Sequence, residues 1–476
     1  MKKHESKTKI IATIGPASAP KDVLRKMFLN GVDVCRLNFS HSSYDAHVEA
    51  INTIRELNRE LNINVSILAD LQGPKIRIGE MENNAVELID GSEFSFVIQK
   101  CVGNANKAYL SYSTFPQDVK AGDIVLVDDG KIKLVVTETN GKDTVKTTVV
   151  SGGMLSSKKG VNLPSTKISL PSLTEKDKED AAFALQQNVD WIALSFVRHA
   201  TDILELKDLI KKHKKNASVI AKIEKPEALE EIDNIIDLAD GIMVARGDLG
   251  VEVDFFMVPL IQKELVNKCI AASKPVIIAT QMMESMITSF RPTRAEANDV
   301  ANAVIDGADT VMLSGETSVG KYPVEVIECM HDIIQCTEDK AYNYNRGIPP
   351  KEFSKTFIVD SLCYNASIMA TQSKASAIIL FTHSGRAVYQ IAGQRPNAKI
   401  FTFTNDQELI SKLSLLWGVK AFEFNFDKNI DEAIEYSIKF LKERGEIKSD
   451  DIVIHLGSTP LVKRERLNML KITYVD

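Results

Sequence analysis

Lys222 and Glu224 stand two residues apart in the β-branched run 218–224 (SVIAKIE). In an extended strand, residues i and i+2 share a face, so this ammonium and carboxylate can meet one ligand together. A second carboxylate, Asp248, follows the apolar run 241–246 within Arg246-Gly247-Asp248-Leu249-Gly250. Glu224 and Asp248 are hard oxygen donors with no His or Cys beside them, a set that suits Mg²⁺ or Mn²⁺ rather than zinc. Arg36 and Arg77 add guanidinium groups, which grip phosphate oxygens in pairs. Phosphate, a divalent ion and a lysine are the equipment of phosphoryl transfer, where positioning and charge neutralisation do most of the catalysis. Each residue also has a plain structural reading. Charges at strand ends usually face solvent, Arg246 and Asp248 could pair across a turn, Ser314 could cap a helix, and His41 and His383 could be ordinary loop histidines.

What must position these groups is written in the periodicity. Runs 8–13, 33–38 and 65–70 read as strands, with helices at 20–30 and 44–62 between them. From 79 to 166 the helix signal gives way to alternating runs with the turn dipeptides Asp90-Gly91, Asp129-Gly130 and Asn140-Gly141, as in a small all-β barrel or sandwich. After Pro171 the α/β rhythm resumes, with strands at 191–196, 218–224, 241–246, 275–280 and 310–314 and helices at 226–239, 258–272 and 294–306. Three strands before the insertion and five after it make the count that closes a (β/α)8 TIM barrel. An open doubly wound sheet is the runner-up, but Ile14-Gly15-Pro16 does not resemble its glycine-rich dinucleotide loop. Past a Gly/Pro-bearing linker at 343–354, helices at 358–371, 385–393, 407–417 and 430–444 alternate with strands at 377–382, 399–404, 420–424 and 451–456, and 469–475 reads as an antiparallel edge. The expected plan is α/β throughout. Residues 1–72 and 168–345 form the barrel, 73–167 a β-barrel lid, and 346–476 a C-terminal α/β sandwich with a mostly parallel sheet.

Sites in such barrels sit at the carboxyl ends of the strands. There the chain places Arg36, Asn38, Ser40 and His41; Asp70 and Leu71, with Lys75 and Arg77 close behind; Ser195 and Arg198; Lys222 and Glu224; Gly247 and Asp248; Thr280; and Ser314. The strand interiors are Ile, Val, Leu and Ala.

Composition narrows the partners. The chain has 476 residues and a net charge of -6, which argues against an electrostatic nucleic-acid binder. No apolar run reaches the ~20 residues of a membrane span. The six cysteines form no CxxC pair, and the first residues carry no signal-peptide core, so the expectation is a cytoplasmic protein.

The stretches ATIGPAS (12–18), CRLNFSH (35–41), GPKIRIG (73–79), KKGVNLP (158–164), AKIE (221–224), GIMVARGDLGVE (241–252), ATQMMESM (279–286), RPTRAE (291–296) and LSGETS (313–318) resemble, in order, those of the pyruvate kinases. The resemblance implies a glycolytic enzyme moving a phosphoryl group from phosphoenolpyruvate to ADP, giving pyruvate and ATP. It also implies a homotetramer, for which helix 294–306 is a candidate barrel–barrel contact. By that resemblance Lys222 neutralises the transferring group, Glu224 and Asp248 hold Mg²⁺ or Mn²⁺, and Arg36 clamps the phosphate. Gly247 and Asp248 meet the substrate carboxylate at a helix start, and Thr280 and Ser314 stand near a proton path. Asn38, His41, Arg77 and Lys176 touch the nucleotide phosphates.

One position departs from the common pattern. Where many members carry glutamate and bind K⁺ beside residues matching Asn38, Ser40, Asp70 and Leu71, this chain has Lys75. A cation 4 Å from that ammonium would be repelled by about 4 kcal/mol at an effective dielectric of ~20. Lys75 is therefore expected to replace K⁺, and K⁺ not to be required. In the C-terminal domain Thr382-His383-Ser384-Gly385-Arg386 follows a strand and opens a helix, a nest for an anion. The resemblance makes it an effector loop for fructose 1,6-bisphosphate, ribose 5-phosphate, AMP or nothing; alternatively, Ser384 caps the helix. The basic tail 463–466 lies near the chain end. Two other classes compete with the kinase: a metal-dependent lyase or aldolase on the same barrel, and a non-catalytic sensor using only its C-terminal domain.

Overall fold

The computed structural model describes residues 6–164, 166–341, 344–427, 429–461, 463 and 465–476. Asn343 of the expected linker and Arg464 of the basic tail lie outside them. Eight parallel strands close into a barrel: Lys9–Thr13, Val34–Asn38, Ser66–Asp70, Trp191–Leu194, Ser218–Ile223, Gly241–Ala245, Val276–Ala279 and Thr310–Leu313, the last pairing with the first. Alternation sends side chains of every strand inward. Ile11, Val34, Leu68, Trp191, Ile220, Met243, Ile277 and Met312 pack there as one buried cluster. Such an interior is a solid core, not a pore, so it holds the eight strand ends at fixed spacing.

The insertion is all-β apart from two short helical turns. Six of its strands form one sheet and two more a ribbon. Isolated bridges from Arg77 to Gly160 and from Ile78 to Leu110 join the sheet's two edge regions, so the lid curls upon itself. It leaves the barrel after the third strand and returns before the helix Glu175–Gln186. The C-terminal sheet has four parallel strands, Val419–Glu423, Lys399–Thr404, Ala377–Phe381 and Ile452–Gly457, with Met469–Tyr474 antiparallel at its edge.

Two expected helices differ. The span 226–239 breaks into Pro226–Glu230 and Ile232–Leu238. At the break the Glu231 carboxylate accepts from His199 Nδ1 at 2.9 Å and the Ala200 amide at 3.2 Å, serving the start of the neighbouring helix Ala200–Lys212. The span 407–417 stops at Leu413 because the residues beyond it are used elsewhere. Leu415 is fully buried in the same cluster as the eight inward side chains, and its carbonyl accepts from Thr310 Oγ1 at 3.0 Å. The Trp417 amide donates to Asp309 Oδ1 at 3.3 Å, and Arg395 pairs with Asp309 Oδ2 at 2.8 Å, both partners buried. The C-terminal domain thus supplies the floor of the barrel. Among the described residues no helix is long and apolar enough to cross a membrane. Leu415→Ala is expected to cost about 2–5 kcal/mol by leaving a cavity in that floor, read as a lower midpoint of thermal unfolding.

Candidate active site

Lys222 is the hub of the strand-end rim. Its Nζ lies 2.6 Å from Ser195 Oγ, 3.0 Å from Glu224 Oε1 and 3.2 Å from Asp70 Oδ1. Ser195 in turn donates to the Leu71 carbonyl at 2.7 Å, so its hydroxyl presents a lone pair to the ammonium. Arg36, from the second strand, donates through Nε to Asp70 Oδ2 at 2.6 Å and through a terminal nitrogen to Thr13 Oγ1 at 3.0 Å. Asp70 therefore sits between two cations. Glu224, just past the fifth strand, accepts the Phe196 amide at 2.6 Å. Phe196 adopts φ 53°, and its ring meets the space where a Cβ on Gly73 (φ 70°) would lie 2.7 Å away, so that turn admits only glycine without displacement.

Burial and charge oppose each other here. Burial disfavours the charged form of Asp70, but Lys222 and Arg36 outweigh it and hold the carboxyl below its usual range. Burial likewise opposes the Lys222 charge, yet Asp70 and Glu224 raise that ammonium above the ordinary lysine value. Glu224 moves the other way. Burial pushes its carboxyl up, Lys222 pulls it down, and the like charge of Asp248 adds to the rise. His41 is shifted down by partial burial and by the charges of Arg77, Lys75 and Arg36.

A cleft of about 120 Å³ brings together most residues singled out in the sequence: Arg36, Asn38, Ser40, His41, Asp70, Leu71, Lys75, Arg77, Lys222, Glu224 and Asp248 all line it. Lys75 Nζ approaches Asp248 Oδ1 at 3.9 Å. Gly247 and Asp248 border a larger open cavity of about 820 Å³ that also reaches Lys75. Gly247 and Asp248 do open a helix, Arg246–Glu252, but the Gly247 amide is already given to Thr280 Oγ1 at 2.8 Å. Arg246 pairs with Asp299 at 2.7 Å rather than with Asp248. Thr280 (φ 71°) thus joins the site through Gly247, outside the cleft lining. Ser314 is also outside it; its side chain makes no capping bond, and its amide donates to Glu316 Oε2 at 2.7 Å. Lys176 is not in the lining either. It is tied to Asp180 and, at 3.3 Å, to the Tyr44 hydroxyl. Thr382, His383, Ser384 and Arg386 line a separate cavity of about 330 Å³ in the C-terminal domain. Its helix, Arg386–Gln394, is preceded at the cap position by Gly385 (φ 76°), whose amide donates to Thr382 Oγ1 at 3.0 Å, so Ser384 is not the cap.

The donor chemistry of Glu224 and Asp248 fits a divalent oxygen-loving ion. Both line the same cleft, and two carboxylates plus substrate oxygens are how Mg²⁺ is commonly held. The cleft lining sets four cationic side chains, Arg36, Lys75, Arg77 and Lys222, against three carboxylates, Asp70, Glu224 and Asp248. That leaves a small positive excess, so a highly charged phosphate ester calls for further cationic charge.

Family comparison agrees along the whole chain. The model described as "Pyruvate kinase, barrel domain" matches residues 5–327, and "Pyruvate kinase, alpha/beta domain" matches 360–473. The chain belongs to the pyruvate kinase family. Pyruvate kinase of Geobacillus stearothermophilus is 41% identical over 472 residues, covering 99% of this chain and 80% of that protein. Pyruvate kinase of Bacillus licheniformis is 40% identical over 467 residues, or 96% of this chain and 80% of that protein. A crystal structure of a pyruvate kinase from Cryptosporidium parvum superposes with a TM-score of 0.93 at 33% identity, covering 99% of this chain and 97% of that one.

Within this pyruvate kinase fold, sequence reasoning gave no role to three supporting groups. Ser195 gives Lys222 its closest contact, Thr13 steadies Arg36, and the Phe196 amide fixes Glu224. Ser195 was visible as a hydroxyl at a strand end. The backbone amide had no signal in residue type at all. Because Asp70 is held below its unfolded pKa of about 3.9, its contribution to stability is full above that pH and is lost as pH falls through the lower, folded value. Asp70→Asn should therefore lower stability at neutral pH yet flatten its decline between about pH 5 and pH 2, as followed by unfolding midpoints across that range.

Proposed function

We propose that the chain is an active pyruvate kinase, transferring the phosphoryl group of phosphoenolpyruvate to ADP to give ATP and, after protonation of the enolate, pyruvate. The observation that carries this reading is the shared cleft of Arg36, Lys222, Glu224 and Asp248 at the strand ends of one barrel. Arg36 and Lys222 would receive the phosphoryl oxygens, where the buried ammonium acts in a water-poor setting and is worth more than in bulk water. Glu224 and Asp248 would hold Mg²⁺ or Mn²⁺, which supplies Lewis-acid neutralisation of the phosphoryl and carboxylate oxygens. Asp70 and Ser195 keep the Lys222 ammonium charged and aimed. The Gly247 amide, released from Thr280, would meet the substrate carboxylate, and Asn38, His41 and Arg77 line the side of the cleft assigned to the nucleotide phosphates. Thr280 and Ser314 remain the candidates for the proton path, and Lys176 for an outer nucleotide contact. The lid, closing over this rim, would keep water from the transferring group. The lyase reading lacks a use for Arg77 and the lid; the sensor reading leaves the buried charge of Lys222 without a purpose.

Three finer points belong to the same reading. Lys75 lines the cleft with Asn38, Ser40, Asp70 and Leu71, which supports a fixed ammonium in place of K⁺. The loop Thr382–Arg386, with Arg466 across its cavity, supports an anionic sugar-phosphate or nucleotide activator. Phe255, Phe256 and Leu260 are all more than half exposed, and Phe255 shares a cavity with Asp299 and Asp306 of the helix Arg294–Asp306, which supports a homotetramer.

A coupled assay of ADP-dependent pyruvate formation with Mg²⁺ tests the central claim. Lys222→Met should lower kcat by about two to three orders of magnitude, while Mn²⁺ titration shows metal binding largely retained; unchanged turnover would remove the role given to Lys222. Run without K⁺ or NH₄⁺, the enzyme should keep its rate, and Lys75→Glu should acquire activation by KCl. An enzyme that is silent until KCl is added contradicts the Lys75 reading. In the same titrations, fructose 1,6-bisphosphate, ribose 5-phosphate or AMP should lower the KM for phosphoenolpyruvate if the C-terminal cavity is an activator site.

A further inference from the structure

The lid meets the barrel at a buried carboxylate that neither the phosphoryl clamp nor the metal pair uses. Glu252 ends the short helix Arg246–Glu252, whose first turn carries Gly247 and Asp248. Its Oε1 accepts Asn162 Nδ2 at 2.8 Å and pairs with Lys225 Nζ at 2.8 Å. The amide must present its NH₂ here, since an ionised carboxylate only accepts. Asn162 belongs to the last lid strand, Val161–Asn162, and Lys225 directly follows Glu224. One carboxylate therefore ties together the lid, the chain segment bearing Glu224 and the helix bearing Asp248.

Glu252 and Lys225 are 4% and 5% exposed. Burying such a pair costs desolvation that the attraction seldom repays, so it is a poor device for stability alone. The other oxygen of Glu252 is buried with no hydrogen-bond partner among the described residues, which leaves the carboxylate able to take a second donor if the lid shifts. The seam around it brings both lid crossings together: Lys75 and Ile76 on the outgoing segment line it with Val161 and Asn162 of the last lid strand, with Asp248 at its edge.

We propose that Asn162, Glu252 and Lys225 form a latch that sets the lid's angle to the helix carrying Asp248, which makes Glu252 and Asn162 positioning residues for phosphoryl transfer. The inference rests on the kinase reading above. Asn162→Leu removes the lid donor and leaves the Glu252–Lys225 pair in place. Because a misplacement of about 1 Å can cost a hundredfold in rate, kcat should fall by roughly tenfold to a hundredfold. The KM for phosphoenolpyruvate, which meets only barrel groups, should barely move, and the thermal midpoint should stay close to the parent's. Asn162→Asp combined with Glu252→Gln reverses donor and acceptor across the same contact and keeps a carboxylate for Lys225. That pair should recover most of the lost kcat, whereas Asn162→Asp alone, which faces two carboxylates toward each other, should not. A kcat for Asn162→Leu within twofold of the parent, or a reversed pair no faster than Asn162→Asp alone, overturns the latch. A parent enzyme that makes no pyruvate from phosphoenolpyruvate and ADP would instead remove the kinase reading, and the latch with it.

Discussion

A lysine ammonium held almost out of water, between two carboxylates and a serine hydroxyl, is the constraint around which this molecule is organised. Lys222 would be unaffordable at that depth alone, since an unpaired buried charge is strongly destabilising. Asp70 and Glu224 remove that penalty, and Ser195 fixes the remaining direction. Asp70 is itself shared with Arg36, so these two cations of the rim are braced by one carboxylate. The arrangement keeps both charges permanently in place, which is what electrostatic catalysis requires: no dipole has to reorganise as charge develops.

The barrel makes this bracing possible because its interior is filled. Every strand contributes inward apolar side chains, and Leu415 from the C-terminal domain closes the bottom. A solid interior cannot yield at one strand without displacing the others. Arg36, Asp70, Ser195 and Lys222 come from four different strand ends or the residues beside them, and their mutual distances of about 3 Å depend on that rigidity. The C-terminal domain is therefore structurally continuous with the floor of the catalytic barrel through Leu415, Trp417 and the buried Arg395–Asp309 pair. A change in how that domain sits has a direct mechanical contact through which to act.

The lid obeys a different economy. Its own core is separate from that of the barrel, and it joins the barrel through two chain crossings and a few polar contacts, of which Asn162–Glu252 and Lys75–Asp248 lie beside the site. The first of these is the polar contact on which the proposed latch rests.

Much of this was present in residue order. Alternating β-branched runs and amphipathic helices dictated eight strand–helix units, the β insertion and the second α/β domain, because burial on a strand or helix leaves a period that can be read directly. The pairing of Lys222 with Glu224 followed from the two-residue repeat of a strand, and the rim charges from their place at strand ends. What the sequence could not carry were contacts between residues far apart along the chain. Ser195 under Lys222, Glu252 under Asn162 and Leu415 in the barrel floor join partners 27, 90 and 105 positions apart. The helix at 407–417 stopped short because Leu415 and Trp417 had tertiary partners, and the helix at 226–239 broke at Glu231, whose carboxylate serves another helix end. Local propensity is worth tenths of a kcal/mol per residue, whereas a buried side chain or a satisfied amide is worth one or more. The sequence by itself determined the elements and the chemistry they carry; only the closed barrel decided which of those charges touch.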